Sequence, residues 1–249
     1  MNVVARMTLG ALAEHGVPRL RSYSRALASA CTAFPPLYGR KQYGELYNRR
    51  ASDPNWVALC IATAAQGEGE GAEHLWDLAA STPDADVARQ IQQHAIDESR
   101  HSRAYVTLFD LVFPGAVDEE LRAVLKQLSP GYTKVTRLAP AQGSAYARPA
   151  TVDELIQMNI AEIRTRIHHL LQWPVFLGYC KEEHRDRVRR ILASLLLDET
   201  RHIAYTARLI ERVAQESGDQ QVMDLMYERM KDFNEITEDE VARRRFSAA

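Results

Sequence analysis

The chain has 249 residues, 46% of them hydrophobic, with 31 basic against 33 acidic side chains and a formal net charge of −2. That is enough apolar material to bury a real core, and the expected organisation is a single all-helical domain over 1–249. A balanced charge removes the electrostatic case for nucleic acid or an anionic membrane as main partner, and Cys31, Cys60 and Cys180, with no Cys-x-x-Cys spacing, argue against a disulfide scaffold or zinc knuckle.

Turn residues gather at Phe34-Pro35-Pro36, Ser52-Asp53-Pro54, Ser81-Thr82-Pro83, Phe113-Pro114-Gly115 and from Ser129 to Pro149. The segments between them are rich in Ala, Leu, Arg, Gln and Glu and show no Val/Ile/Thr alternation, so the fold class is all-α. The spacing predicts helices over 5–32, 54–80, 84–112, 117–128, 151–179, 184–216 and 220–245. Asp53 before Pro54 and Thr82-Pro83-Asp84 read as helix starts. The long irregular connection around 131–150 is expected to join two helical hairpins. The longest apolar stretch, Leu170 to Cys180, is interrupted by Gln172 and Pro174 and falls short of the ~18–20 residues a bilayer span needs. Arg6, Glu14 and His15 interrupt any apolar leader within Met1 to Leu20, and the expected location is the cytoplasm.

Two helices can be tested by counting. Steps of four and three from Val87 pass through Ile91, His94, Glu98, His101, Tyr105, Leu108 and Val112. The same steps from Val188 pass through Leu192, Leu195, Glu199, His202, Thr206, Leu209 and Val213. The seams coincide at an offset of 101 residues, which suggests a duplicated hairpin or at least two helices with the same job.

Each seam carries Glu-x-x-His at its centre. Residues three apart leave one helix face, so Glu98 with His101, and Glu199 with His202, each aim a carboxylate and an imidazole at a common point. A buried carboxylate needs a partner, a proton or a metal. A lone Glu-x-x-His is weak, since about half a copy is expected by chance in a chain of this composition. Both sites, however, read Asp-Glu-x-Arg-His, over Asp97 to His101 and Asp198 to His202, a pentapeptide expected on the order of 0.002 times per chain. Two buried salt-bridge networks are the bland alternative.

Two such pairs leave a dinuclear site short of ligands, and the known solution adds one Glu from each of two further helices. On helix 54–80 only Glu68 lies on an apolar seam, Val57, Ile61, Ala64, Glu68, Ala72 and Leu75; Glu70 and Glu73 share a polar face. On helix 151–179 the same test selects Glu162, on the seam Leu155, Met158, Glu162, Thr165, His169 and Phe176. Glu68 and Glu98 stand equally far from the turn near Pro83, and Glu162 and Glu199 nearly so from a turn near Lys181.

With these six positions filled, the chain from about 54 to 216 resembles the ferritin-like di-iron carboxylate superfamily, and most of all its oxygen-activating branch. The resemblance implies a ferritin-like four-helix bundle with additional N- and C-terminal helices. It implies Glu68, Glu98, His101, Glu162, Glu199 and His202 as metal ligands and catalytic centre, with Asp97, Asp198, Arg100 and Arg201 supporting the imidazoles from behind. Hard carboxylates and imidazoles without thiolates select two iron ions, or a manganese–iron pair, and O2 as co-substrate. The expected activity is an O2-dependent oxygenase or oxidase that hydroxylates, N-oxygenates or desaturates a small organic substrate. The alternatives are an acyl-carrier-protein-type desaturase and a non-catalytic iron-storage or peroxide-scavenging protein. No dinucleotide fingerprint or cysteine cluster is present, so an external reductase or ferredoxin is expected as electron donor. A homodimer is compatible with the sequence; nucleic acid and membrane are not expected partners.

Three further features tune this reading. His94, one turn before Glu98, is either an additional ligand or a hydrogen-bonded core histidine. Tyr105, one turn after His101, has the spacing of a redox tyrosine and also suits a packed aromatic, while His169 is a candidate for the cavity wall. Gly67, Gly69 and Gly71 bracket Glu68 at a cost of about 1 kcal/mol each relative to Ala, which suggests either a π-bulge or opened backbone there or a merely flexible segment.

Overall fold

The computed structural model describes residues 1–115, 119–127, 129–135 and 150–242. Among these every regular element is a helix, as the composition and periodicity predict. The α-helices are α1 (Val3–Glu14), α2 (Arg21–Ala33), α3 (Lys41–Arg50), α4 (Pro54–Ser81), α5 (Ala85–Val112), α6 (Glu119–Gln127), α7 (Val152–Tyr179), α8 (Arg185–Ser217) and α9 (Asp219–Ala242). None is long and apolar enough to cross a membrane among the described residues.

The boundaries follow local chemistry. Asp53 accepts a 2.9 Å hydrogen bond from Asn55 N ahead of Pro54, and Asp84 accepts from Asp86 N and Val87 N at 2.9 and 3.1 Å. Thr151 and Glu154 close a reciprocal cap on α7, with Thr151 N donating to Glu154 Oε2 at 2.8 Å and Glu154 N donating to Thr151 Oγ1 at 3.2 Å.

Two expectations are corrected. The helix predicted over 5–32 is two helices, because Gly16 takes a left-handed φ of +75° and Pro18 follows it. The glycines around Glu68 cause no π-bulge: α4 runs as unbroken α-helix through Gly67, Gly69 and Gly71. Helix α3 was not predicted at all. The irregular connection around 131–150 lies largely outside the described residues, as do the ends of the expected helices 117–128 and 220–245.

By its internal packing the chain divides into two units. The first takes residues 1–49, 151–172 and 196–242; the second takes the described residues from 50 to 150 together with 173–195. Helices α7 and α8 contribute to both.

In the second unit α4 and α5 form an antiparallel hairpin. All eight positions of the α5 seam, Val87 to Val112, are buried, and so are Val57, Ile61, Ala64, Glu68, Ala72 and Leu75 of α4. Small residues let the two helices approach: Ser102 Oγ donates a 2.7 Å hydrogen bond to Ala65 O across the hairpin. Ser129 donates to Ser99 O at 3.0 Å, and Tyr132 stacks on Trp76 with ring centroids 4.1 Å apart, so the segment after α6 is tied to both helices.

In the first unit a polar network runs through the apolar core. Tyr23 Oη donates to Asn159 Oδ1 at 2.9 Å; Asn159 Nδ2 donates to Thr206 Oγ1 at 2.8 Å and Ile203 O at 3.2 Å; Thr206 Oγ1 donates to His202 O at 2.7 Å. Every polar atom of Asn159 is thereby used, which makes its burial affordable. Helix α2 lacks a side-chain cap at Leu20 and takes one from afar, as Tyr23 N donates to Glu211 Oε2 of α8 at 2.8 Å. The turn Leu37–Gly39 packs closely on α1, where a Cβ at Gly39 would run into the Val4 side chain. Arg164 of α7 forks onto Glu240 of α9 at 2.6 and 2.8 Å.

Candidate metal centre

Each unit brings one predicted Glu-x-x-His pair together with one predicted partner glutamate. In the second unit His101 Nδ1 lies 3.6 Å from Glu68 Oε2 on α4 and 3.6 Å from Glu98 Oε1 on its own helix. In the first unit His202 Nδ1 lies 3.5 Å from Glu162 Oε2 on α7 and 3.5 Å from Glu199 Oε2. The two clusters repeat one pattern: an imidazole nitrogen facing one oxygen from its own helix and one from the neighbour. Glu68, Glu98, His101, Glu199 and His202 are buried, and Glu162 is nearly so, with 12% of its side chain exposed.

Those distances are informative. A direct N–H···O hydrogen bond spans about 2.7–3.2 Å, shorter than the separations here. Two donor atoms held about 2.1 Å from one ion, at angles of 90–120°, stand about 3.0–3.6 Å apart. Glu68 Oε1 is buried with no hydrogen-bond partner, a costly state for a carboxyl oxygen in a dry helix hairpin. The donor set is hard oxygen plus imidazole, without a thiolate, and fits iron or manganese. His94, Glu98, Glu162, His202, Glu68, His101 and Glu199 are the members of the groups able to hold a metal ion among the described residues.

Charge crowding points the same way. Burial and the neighbouring Glu98 carboxylate push the Glu68 carboxyl well above the usual range. Burial also opposes the charge on Glu98, but the shared hydrogen bond with Glu68, the nearby His101 imidazole and the hydrogen bond with His94 overcome it and hold Glu98 well below the usual range. Two buried carboxyls this close oppose each other's ionisation, an opposition that a bound cation would relieve.

His94 Nε2 makes a 3.1 Å hydrogen bond with Glu98 Oε1, which places it in the cluster of the second unit. The matching position of the other seam is Leu195, so the feature is not duplicated. In the first unit His169 Nδ1 lies 3.9 Å from Glu199 Oε1, beside the other cluster. Tyr105 is fully buried one turn beyond His101. Arg100 Nη2 reaches Asp97 Oδ1 at 3.2 Å while Arg100 Nη1 reaches Ser194 at 3.1 Å, and Arg201 pairs with Asp198. Both aspartates are buried and both arginines half-exposed, so the repeated spacing within each pentapeptide serves to neutralise a buried acid from the helix surface.

Two participants escaped the sequence reading. Tyr43 of α3 shares a 2.7 Å hydrogen bond with His168 Nε2, rings stacked, next in sequence to His169. Arg166 donates from Nε to Thr200 Oγ1 at 3.0 Å, immediately after Glu199. No local pattern announces either, because each depends on which helices become neighbours. The cysteines stay out of the clusters: all three are buried free thiols, and burial pushes Cys31 and Cys60 up to about 12.

No protein-family model, curated protein or solved structure matches the chain.

Proposed function

We propose that the chain is an O2-dependent di-iron oxidoreductase acting on a small organic substrate, with a ferritin-like four-helix bundle formed by α4, α5, α7 and α8. One observation carries the reading: the two clusters repeat the same arrangement, each with an imidazole nitrogen 3.5–3.6 Å from two carboxylate oxygens. Glu68, Glu98, His101, Glu162, Glu199 and His202 would hold two ions, with His94 a further donor. Four carboxylates balance two divalent cations, so the reduced centre is neutral and suits a buried site. Bound iron would supply reducing equivalents to O2 and the oxidising power that substrate oxidation requires.

The chain's own residues have defined tasks in this scheme. Asp97 and Asp198, each neutralised by its arginine, would fix the imidazoles from behind. Glu68, the carboxyl that burial and the neighbouring Glu98 push upward, would give up a proton on metal binding. Tyr105 and His169 would wall the space beside the ligands. Electrons would come from a separate reductase or ferredoxin.

The test is anaerobic loading with iron(II), followed by exposure to O2 with optical monitoring and oxygen-electrode recording. The reading predicts two irons per chain and a transient absorbing species that decays faster when reductant and substrate are present. Slow accumulation of a ferric mineral core instead would indicate storage. Absence of iron uptake would contradict the reading altogether.

A further inference from the structure

Arg166 bears on the substrate. It stands one helical turn after Glu162 on α7, so both side chains leave the same side of the helix. Its Nε donates to Thr200 Oγ1 at 3.0 Å, and Thr200 Oγ1 donates in turn to Leu196 O at 2.9 Å. Because Thr200 directly follows Glu199, this tether holds the guanidinium beside the turn of α8 that carries a cluster ligand.

The guanidinium is half-buried, and no carboxylate stands within ion-pair distance among the described residues. Arg164 and Arg229 of the same unit, by contrast, close ion pairs of 2.6 Å with Glu240 and Asp153. Burial lowers the Arg166 pKa, against the more distant charges of Glu14 and Glu199. Among the described residues only Nε is engaged, and neither Nη atom, each with two N–H groups, meets an acceptor. Such a pair is a planar fork matched to the two oxygens of a carboxylate. Arg166 is also not part of the repeated ligand pattern, since one turn after Glu68 the chain has Ala72. A cation present on one side only is not needed to build the clusters.

We propose that Arg166 is the receptor for a carboxylate group of the substrate, which makes the substrate class a small organic acid. The inference rests on the metal-dependent oxidoreductase reading for what happens to that acid, though not for its binding. Four residues of helix rise by about 6 Å, so the acid group would sit one turn from the level of Glu162 and the bond oxidised would lie a few atoms from it.

The experiment is calorimetric titration of the metal-free and the anaerobic iron(II)-loaded protein with octanoate and benzoate, their amides, and inorganic phosphate. Wild type should bind at least one acid ten-fold or more tighter than its amide. Arg166→Gln should lose at least ten-fold for that acid and little for the amide, with unchanged iron content and helical circular dichroism. Arg166→Lys should recover part of the loss, and Thr200→Val, which cuts the tether without removing the charge, should weaken acid binding less than Arg166→Gln. Equal binding of acid and amide to wild type, equal acid binding in Arg166→Gln, or preference for phosphate would each overturn the proposal. Loss of iron from Arg166→Gln with acid binding kept would assign the residue to the cluster instead. If the wild type takes up no iron, the oxidoreductase reading fails separately, and the metal-free titrations still decide the role of Arg166.

Discussion

His101 Nδ1 faces Glu68 Oε2 across the α4–α5 hairpin at 3.6 Å, too far for a hydrogen bond and right for two ligands of one ion. His202 repeats that relationship with Glu162 on α7 and α8 at 3.5 Å. If each imidazole is a ligand, single variants should act on metal content rather than on folding. His101→Ala and His202→Ala are expected to lower iron from two per chain to about one or fewer while keeping the helical circular dichroism. Iron quantified on gel-filtered protein checks this, and full occupancy in both variants would exclude the imidazoles as ligands.

Metal binding should be visible as stability. A ligand that binds only the folded state, present at 100 times its Kd, adds about 2.7 kcal/mol. At about 2–4 °C per kcal/mol for a chain of this size, the melting temperature should rise by about 5–10 °C. Thermal denaturation with iron(II) or manganese(II), then with excess chelator, measures the gain and its reversal.

In the metal-free protein the Glu68 carboxyl sits well above its ordinary value of 4.5, so the folded state holds this proton more tightly than the unfolded state does. The stability it contributes is fully present below that ordinary value and is lost as pH rises through the folded-state value. Glu98 has the opposite sign: its contribution is present above its ordinary value and lost as pH falls. Glu68→Gln imitates the protonated acid at every pH, so the chelated variant should lose less stability than chelated wild type as pH rises above the ordinary value of 4.5. Urea denaturation across that range is the measurement, and parallel curves would contradict the assignment.

Much of this was legible before any coordinate. The α5 seam reads off the sequence because helical periodicity places Glu98 and His101 amid Val87, Ile91, Leu108 and Val112, all of them buried. Glu68 is separable from Glu70 for the same reason: Glu70 lies exposed and accepts a 2.7 Å hydrogen bond from Gln66 on the outer face. Helix α3 was illegible because its buried side chains are only Tyr43 and Tyr47 in a charged segment, too short a stripe to register as a period. The break after α1 turned on Gly16 adopting positive φ, which an Ala-rich helical pattern on both sides conceals. The glycines at 67, 69 and 71 suggested backbone distortion, whereas the helix stays regular and α4 meets α5 closely enough for the Ser102 to Ala65 bond. The Arg166–Thr200 link depends on the packing of α7 against α8 and has no signature in either segment.

The Asn159 network couples the core of the first unit to the turn bearing His202. Removing its centre leaves Tyr23 Oη and Thr206 Oγ1 without their buried partner, which costs about 1–3 kcal/mol for each group stranded. Asn159→Ala should therefore be destabilising and should also weaken iron binding, whereas Tyr23→Phe, which strands only Asn159 Oδ1, should cost about 1–3 kcal/mol and spare iron content. Chemical denaturation and iron analysis of the two variants, side by side, separate these effects.

The central proposal is that Glu68, Glu98, His101, Glu162, Glu199 and His202 would hold a di-iron centre, and Mössbauer spectroscopy of protein loaded with iron-57 tests it most directly. After oxidation the account predicts two irons per chain and a diamagnetic, antiferromagnetically coupled diferric signal with no matching electron paramagnetic resonance. Magnetically isolated high-spin ferric ions, or a chain that binds no iron, would contradict it.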